Sequence, residues 1–140
     1  PDVIMVGELR DLETISLALT AAETGHLVFA TLHTSGAPNT VNRIIDVFPS
    51  GQQGQVRAQL ATSLKMVMTQ RLIKKADGLG RVPAFEVMIC NHAVQNLIRE
   101  NKIFQINTAM QTGVSAGMVE MEKSIQALID AGLVNYEDAQ

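Results

Sequence analysis

The apolar positions of the chain follow more than one period. Val3-Ile4-Met5-Val6 is a continuous apolar run with no alternation, the pattern of a strand buried on both faces of a parallel sheet. From Leu12 the spacing becomes helical: Leu12, Ile15, Leu19 and Ala22 share one apolar face. Asp11 stands where an N-cap is needed, and Glu13 suits the positive end of a helix. Gly25 is the natural stop. Leu27 to Leu32 is a second short apolar stretch and predicts a second buried strand. Strand, helix and strand within about 30 residues make a βαβ unit, which sets the two strands parallel.

Ser35 to Asn39, with Gly36 and Pro38, has loop composition. Val41, Ile44, Ile45 and Phe48 mark a short helix ended by Pro49, and Val56, Leu60, Leu64 and Val67 predict a longer one. Ala76-Asp77-Gly78-Leu79-Gly80 is a turn, so Arg71 to Lys75 and Val82 to Met88 are expected to pair as a hairpin. Asn91 is a good N-cap for the next helix. The tail is mostly helical, with a Met121, Ile125, Leu128 and Ile129 face that ends at Gly132. There is no internal repeat and no low-complexity linker. The expected class is α/β, a parallel sheet followed by a mostly helical carboxy-terminal region.

Composition narrows the function. The chain has 140 residues, 46% of them apolar, which suffices for a buried core. With no Trp and one Tyr, that core must be aliphatic, helped by seven Met. The Met66 and Met68 pair is expected in a core or an interface. A net charge of -3 argues against a nonspecific nucleic-acid binder. A single cysteine, Cys90, excludes an internal disulfide and a multi-cysteine zinc site within this chain. It reads as a small buried residue in a reduced, cytosolic setting. His92, near a helix start, reads as structural. No stretch approaches the ~18 apolar residues of a membrane span, and no signal-peptide pattern is visible. The sequence opens on Pro1 and enters an apolar run at once, so it is expected to be a fragment that starts inside a fold.

Two polar residues follow the two strands, Glu8 after the first and His33 after the second. In an open parallel sheet, ligands bind beyond the carboxyl ends of the strands. Were the strands neighbours, Glu8 and His33 would face one crevice. A carboxylate there can orient a water for attack on a phosphate or hold the water shell of Mg²⁺. A histidine there can hydrogen-bond a terminal phosphate. Taken singly, a Glu after a strand is more often a solvated turn residue, and a lone His is more often structural. Gly7-Glu8-Leu9-Arg10-Asp11 can equally form a loop with a local Arg–Asp pair.

The longer runs around these residues change the balance. Val3-Ile4-Met5-Val6-Gly7-Glu8-Leu9-Arg10-Asp11-Leu12-Glu13-Thr14 resembles the Walker B segment of secretion-type ATPases. Ala22-Glu23-Thr24-Gly25-His26-Leu27-Val28-Phe29-Ala30-Thr31-Leu32-His33-Thr34 resembles their histidine box. The resemblance implies a RecA-like P-loop NTPase core, with Glu8 as the catalytic Walker B glutamate and His33 as the residue that senses the γ-phosphate. Gly7 stands where many other P-loop enzymes have an Asp, which leaves Glu8 as the single carboxylate at that strand tip. No G-x-x-x-x-G-K-[ST] occurs in the chain, and that loop is what cradles the phosphates. ATP and Mg²⁺ are therefore implied for the full-length protein, and this chain alone is expected to be inactive.

Within the superfamily, assembly-type pilus and type II secretion ATPases usually carry a four-cysteine zinc motif soon after a Gln-Arg-Leu run. Here Gln70-Arg71-Leu72 is followed by Lys74-Lys75-Ala76-Asp77-Gly78-Leu79-Gly80, without cysteine. Ala93-Val94-Gln95-Asn96-Leu97-Ile98-Arg99-Glu100 resembles the carboxy-terminal signature of type IV pilus retraction ATPases, departing from it at Val94 and Gln95. The matching positions are Ala93, Asn96, Leu97, Ile98, Arg99 and Glu100. Ala93 with Leu97, and Val94 with Ile98, form an i,i+4 apolar face that leaves Arg99 free to reach a partner. An ordinary amphipathic helix has the same pattern. The resemblance fades after about Glu120.

It implies two regions: residues 1–90 as the carboxy-terminal part of the ATPase domain, and residues 91–140 as a helical region with the retraction signature. It also implies a homo-oligomer, a hexamer, at the cytoplasmic face of the membrane. That ring would engage a platform protein of the pilus machinery and no nucleic acid. The alternatives are a non-catalytic interaction module of the same fold, or an assembly or type II secretion ATPase.

Overall fold

Asp11 nucleates the first helix. Its extended backbone and its carboxylate, which accepts from the Thr14 N–H at 2.9 Å, start α1 (Leu12–Glu23). The helix ends at Thr24, and Gly25 follows with φ 101°, a left-handed turn that glycine adopts without a Cβ penalty. In this computed structural model, which describes residues 2–140, α1 joins two parallel strands, β1 (Val3–Glu8) and β2 (Leu27–Thr31). The βαβ unit is therefore as expected. Pro1, on which the sequence opens, lies outside the described residues.

The expectation that both strand faces are buried does not hold in this chain. Met5 is 76% exposed and Phe29 52% exposed, while the intervening residues are half-buried. Pairing also departs from a simple ladder. Met5 lies opposite Phe29, but Glu8, not Gly7, lies opposite Thr31, because β1 carries one extra residue between these pairs.

After β2, residues 32–36 lead into α2 (Ala37–Asp46), followed by α3 (Gln53–Ser63). Val41, Ile44, Ile45 and Phe48 are all buried, as their spacing predicts. The longer helix predicted through Val67 stops earlier. Leu64 caps α3 in extended conformation, and Val67 belongs to β3 (Met66–Lys74). β3 pairs antiparallel with β4 (Arg81–Ile89) over their full length. The hairpin is thus longer than the turn signals indicated: β3 starts five residues before Arg71 but ends at Lys74, one short of Lys75, and β4 gains one residue at each end. Of the two places expected for Met66 and Met68, the core is excluded: both lie half-exposed on β3.

Asn91 caps α4 (His92–Arg99) through the Val94 N–H. Then come α5 (Ile106–Thr112) and α6 (Met121–Asp130), with short 3₁₀ turns between and after them. One core cluster spans Ile15 and Leu19 of α1, α2, α3, Val67, Met88, Val94 and Ile98 of α4, and Ile106 and Met110 of α5. A second, smaller cluster packs Ile73, Ala84, Val134 and Ala139 against Met121, Ile125, Leu128 and Ile129. Cys90 is buried within the first cluster, as expected, and burial pushes its thiol up to about 11. Among the described residues, no helix is long and apolar enough to cross a membrane.

Candidate functional site

β1 and β2 are neighbours, so their carboxyl ends open at one edge of the molecule. There the His33 Nε2 lies 3.1 Å from the Glu8 Oε1. The other carboxylate oxygen of Glu8 is engaged by the Arg10 Nε. The local pair in this loop is therefore Arg10 with Glu8, not Arg10 with Asp11, whose carboxylate caps α1. The backbone keeps Glu8 in place. Thr31 donates its hydroxyl to the Gly7 carbonyl at 2.6 Å, and the Leu9 N–H bonds the Thr31 carbonyl at 2.8 Å. The extra residue in β1 thereby brings Glu8 level with Thr31, two residues before His33.

The two side chains differ in exposure. Glu8 is 25% exposed and His33 is 87% exposed. A sheltered carboxylate paired with an open imidazole can accept a proton from a water held in front of it, while the imidazole stays free to meet a ligand from solvent. Each carboxylate oxygen keeps a lone pair beyond its present contact. Among the described residues, no group of three or more His, Cys, Asp or Glu side chains could cage a metal ion. One sheltered carboxylate still fits Mg²⁺, which keeps most of its waters and is held largely by substrate phosphates.

The loop that carries His33 is tied to α2. The Thr34 and Thr40 hydroxyls lie 2.6 Å apart, Thr40 donates to the Gly36 carbonyl at 2.9 Å, and the Asn39 side chain donates to the Ser35 carbonyl at 2.7 Å. The Ala37 N–H donates to the carboxylate of Glu86, 2.6 Å away on β4. Sequence reasoning missed Glu86. The available signal was a lone acid between Ala84 and Met88 at strand period, both of which are fully buried. An open groove of about 1210 Å³ runs between β2 and β3, lined by Phe29, Thr31, His33, Met66, Met68 and Gln70.

The residues of the carboxy-terminal signature lie on α4 and its C-cap. Val94 and Ile98 are fully buried against the core, Leu97 is half-buried, and Ala93, Asn96, Arg99 and Glu100 are exposed. Ala93 thus does not join Leu97 in the apolar face. Arg99 is exposed, and its Nη1 donates to Asn96 at 2.9 Å on the same helix. His92 is exposed at the start of α4.

Known proteins resemble the chain closely. A twitching motility protein of Neisseria gonorrhoeae is 59% identical over 140 residues, which is 100% of this chain and 37% of the relative. The type IV pilus retraction ATPase PilT of Pseudomonas aeruginosa is 54% identical over 140 residues, 100% of this chain and 40% of its own length. A crystal structure of the pilus retraction motor PilT with bound ADP superposes with a TM-score of 0.90 at 51% identity. That match covers 100% of this chain and 39% of the motor's. The chain thus spans less than half the length of these relatives, and the similarity does not fade after Glu120 but continues to the last residue. The α/β fold inferred from the sequence is the fold of these motors. With the family model for type II/IV secretion system proteins matching residues 1–138, the chain belongs to that family.

Proposed function

We propose that the full-length protein is an ATP-hydrolysing motor that retracts type IV pili. It works as a homo-oligomeric ring, a hexamer, at the cytoplasmic face of the membrane, against a platform protein of the pilus machinery. The observation that carries the reading is the 3.1 Å contact between Glu8 and His33 at adjacent strand tips, in a chain 54% identical to a retraction ATPase over its whole length. Residues 1–90 form the carboxy-terminal part of the ATPase domain, and residues 91–140 carry the output signature.

Glu8 is the general base. It takes a proton from water as the water oxygen bonds to the γ-phosphorus and the bond to the β-phosphate oxygen breaks. Glu8 would hold the water shell of Mg²⁺, which when bound would supply charge neutralisation to the phosphates. The phosphate loop comes from a part of the motor other than these 140 residues, which lack its motif. His33 reports the γ-phosphate. Its exposure lets it leave Glu8 for the nucleotide, and the short loop to α2 carries the change onward. Ala93, Asn96, Leu97, Ile98, Arg99 and Glu100 serve motor output rather than chemistry, which agrees with their distance in sequence from Glu8 and His33.

The test uses the full-length protein. Glu8→Gln keeps shape and hydrogen bonding and removes the charge, so ATP binding should persist while turnover falls by about 10²–10⁴. His33→Ala should reduce the ratio of ATP to ADP affinity. Turnover at the parent rate in Glu8→Gln refutes the base. An unchanged affinity ratio and unchanged turnover in His33→Ala refute the sensor.

A further inference from the structure

Buried carboxylates are rare and costly unless something compensates their charge. Glu86 is 7% exposed, in the middle of β4, and the pairing of Glu8 with His33 does not use it. Its Oε2 accepts the Ala37 N–H at 2.6 Å, across 49 residues of sequence. Ala37 is the first residue of α2, and the helix has no cap of its own. The preceding residue is Gly36, with φ 88°, and it has no side chain to bond the free N–H groups. A capping Ser, Thr or Asp at that φ would be strained. Pro38, next in the helix, has no N–H to satisfy. The open donor and the positive end of α2 together supply what a buried carboxylate needs.

The strand under Glu86 is itself fixed on its outer edge. The Phe85 N–H donates to the Ser124 hydroxyl at 3.0 Å, and Val87 exchanges two backbone hydrogen bonds with Val119 at 2.9 and 3.0 Å. Glu86 is therefore a fixed post, and the chain leaving the loop that bears His33 meets it at Ala37, four residues after the histidine.

We infer that Glu86 is a positioning residue for His33, capping α2 from across the fold and so holding the loop from Leu32 to Gly36 where the imidazole meets the nucleotide. This rests on the reading of His33 as the phosphate sensor. Three variants of the full-length protein test it. Glu86→Gln keeps an acceptor. Glu86→Met keeps the volume and removes the acceptor. Glu86→Asp keeps the charge but withdraws it by one methylene. A fourth, Ile73→Ala, lowers stability in the second cluster, away from the loop.

The ratio of ATP to ADP affinity and the amide hydrogen exchange of residues 33–40 are read for each. Glu86→Met and Glu86→Asp should cut the affinity ratio about tenfold, as for a lost bond to a charged group, and speed exchange at Ala37. Glu86→Gln should stay near the parent in both, and so should Ile73→Ala. If Glu86→Met does not fold, Glu86→Asp decides alone. The inference is overturned if both variants match the parent, or if Ile73→Ala changes the ratio as much as they do. If His33→Ala leaves the affinity ratio untouched, the sensor reading fails, and exchange at Ala37 still decides whether Glu86 holds the loop.

Discussion

Within the carboxy-terminal signature, fold and output should separate at the level of single residues. Ile98 is fully buried against α3 and the core, Leu97 is half-buried, and Arg99 is exposed with a bond only to Asn96 of its own helix. Ile98→Ala deletes three buried carbons, worth about 0.8 kcal/mol each in transfer alone. The cavity left behind raises the cost to about 3–4 kcal/mol. In a protein larger than this chain that lowers Tm by about 5–10 °C. Arg99→Ala removes only an exposed contact and should leave Tm within about 1–2 °C of the parent. Thermal melts of the full-length variants, read beside ATP affinity and pilus retraction, check the split. Ile98→Ala should lose retraction together with stability. Arg99→Ala and Leu97→Ala should lose retraction while ATP affinity persists. The reasoning is refuted if Ile98→Ala melts like the parent, or if Arg99→Ala loses nucleotide affinity while retraction per ATP stays normal.

Other outcomes follow from the same geometry. The 140-residue chain alone should show no magnesium-dependent ATP turnover. With Met5 and Phe29 outward on a two-stranded sheet, it should also self-associate; steady turnover that Glu8→Gln abolishes, or a monodisperse monomer in light scattering, would refute these expectations. Cys90, its thiol raised to about 11 by burial, should resist thiolate-directed reagents at pH 8 and label quickly only after denaturation; fast labelling of the native protein contradicts this. The carboxyl of Asp11 is held below its ordinary 3.8 by the backbone N–H and then the hydroxyl of Thr14. Its contribution to stability is therefore complete above pH 3.8 and is lost as pH falls through the lowered value. Asp11→Asn should flatten that acid limb in a Tm-against-pH series, and a limb as steep as the parent's counts against the cap.

What the sequence revealed, and what it hid, divides along local and long-range physics. Asp11 and Asn91 were legible as caps because capping is decided within three residues. That Glu8 and His33 open on one crevice was legible because a βαβ unit leaves few ways to arrange two strands, whereas their direct 3.1 Å contact was not. Val67 was misassigned because Leu60, Leu64 and Val67 fit a helical period, and only the pairing with Met88 makes the last a strand residue. The exposure of Met5 and Phe29 was not legible, since an apolar run reports what a strand can bury and not what covers it. Glu86 was hidden for a related reason. Its partner lies 49 residues away, and no local pattern announces a cap delivered from another strand.

The extra residue in β1 separates two properties that a regular strand locks together: which residue of the neighbouring strand a side chain stands beside, and which side of the pleat it occupies. Glu8 stands beside Thr31 while keeping the even count it shares with Ile4 and Val6. Removing one residue from Val6–Gly7 would leave Glu8 beside Thr31 but reverse its parity, toward the side of Val3 and Met5. Substitution scanning preserves the count and cannot expose this dependence. In this strand the spacing is as much a determinant as the glutamate, and a single-codon deletion would remove the carboxylate from its place without changing its chemistry.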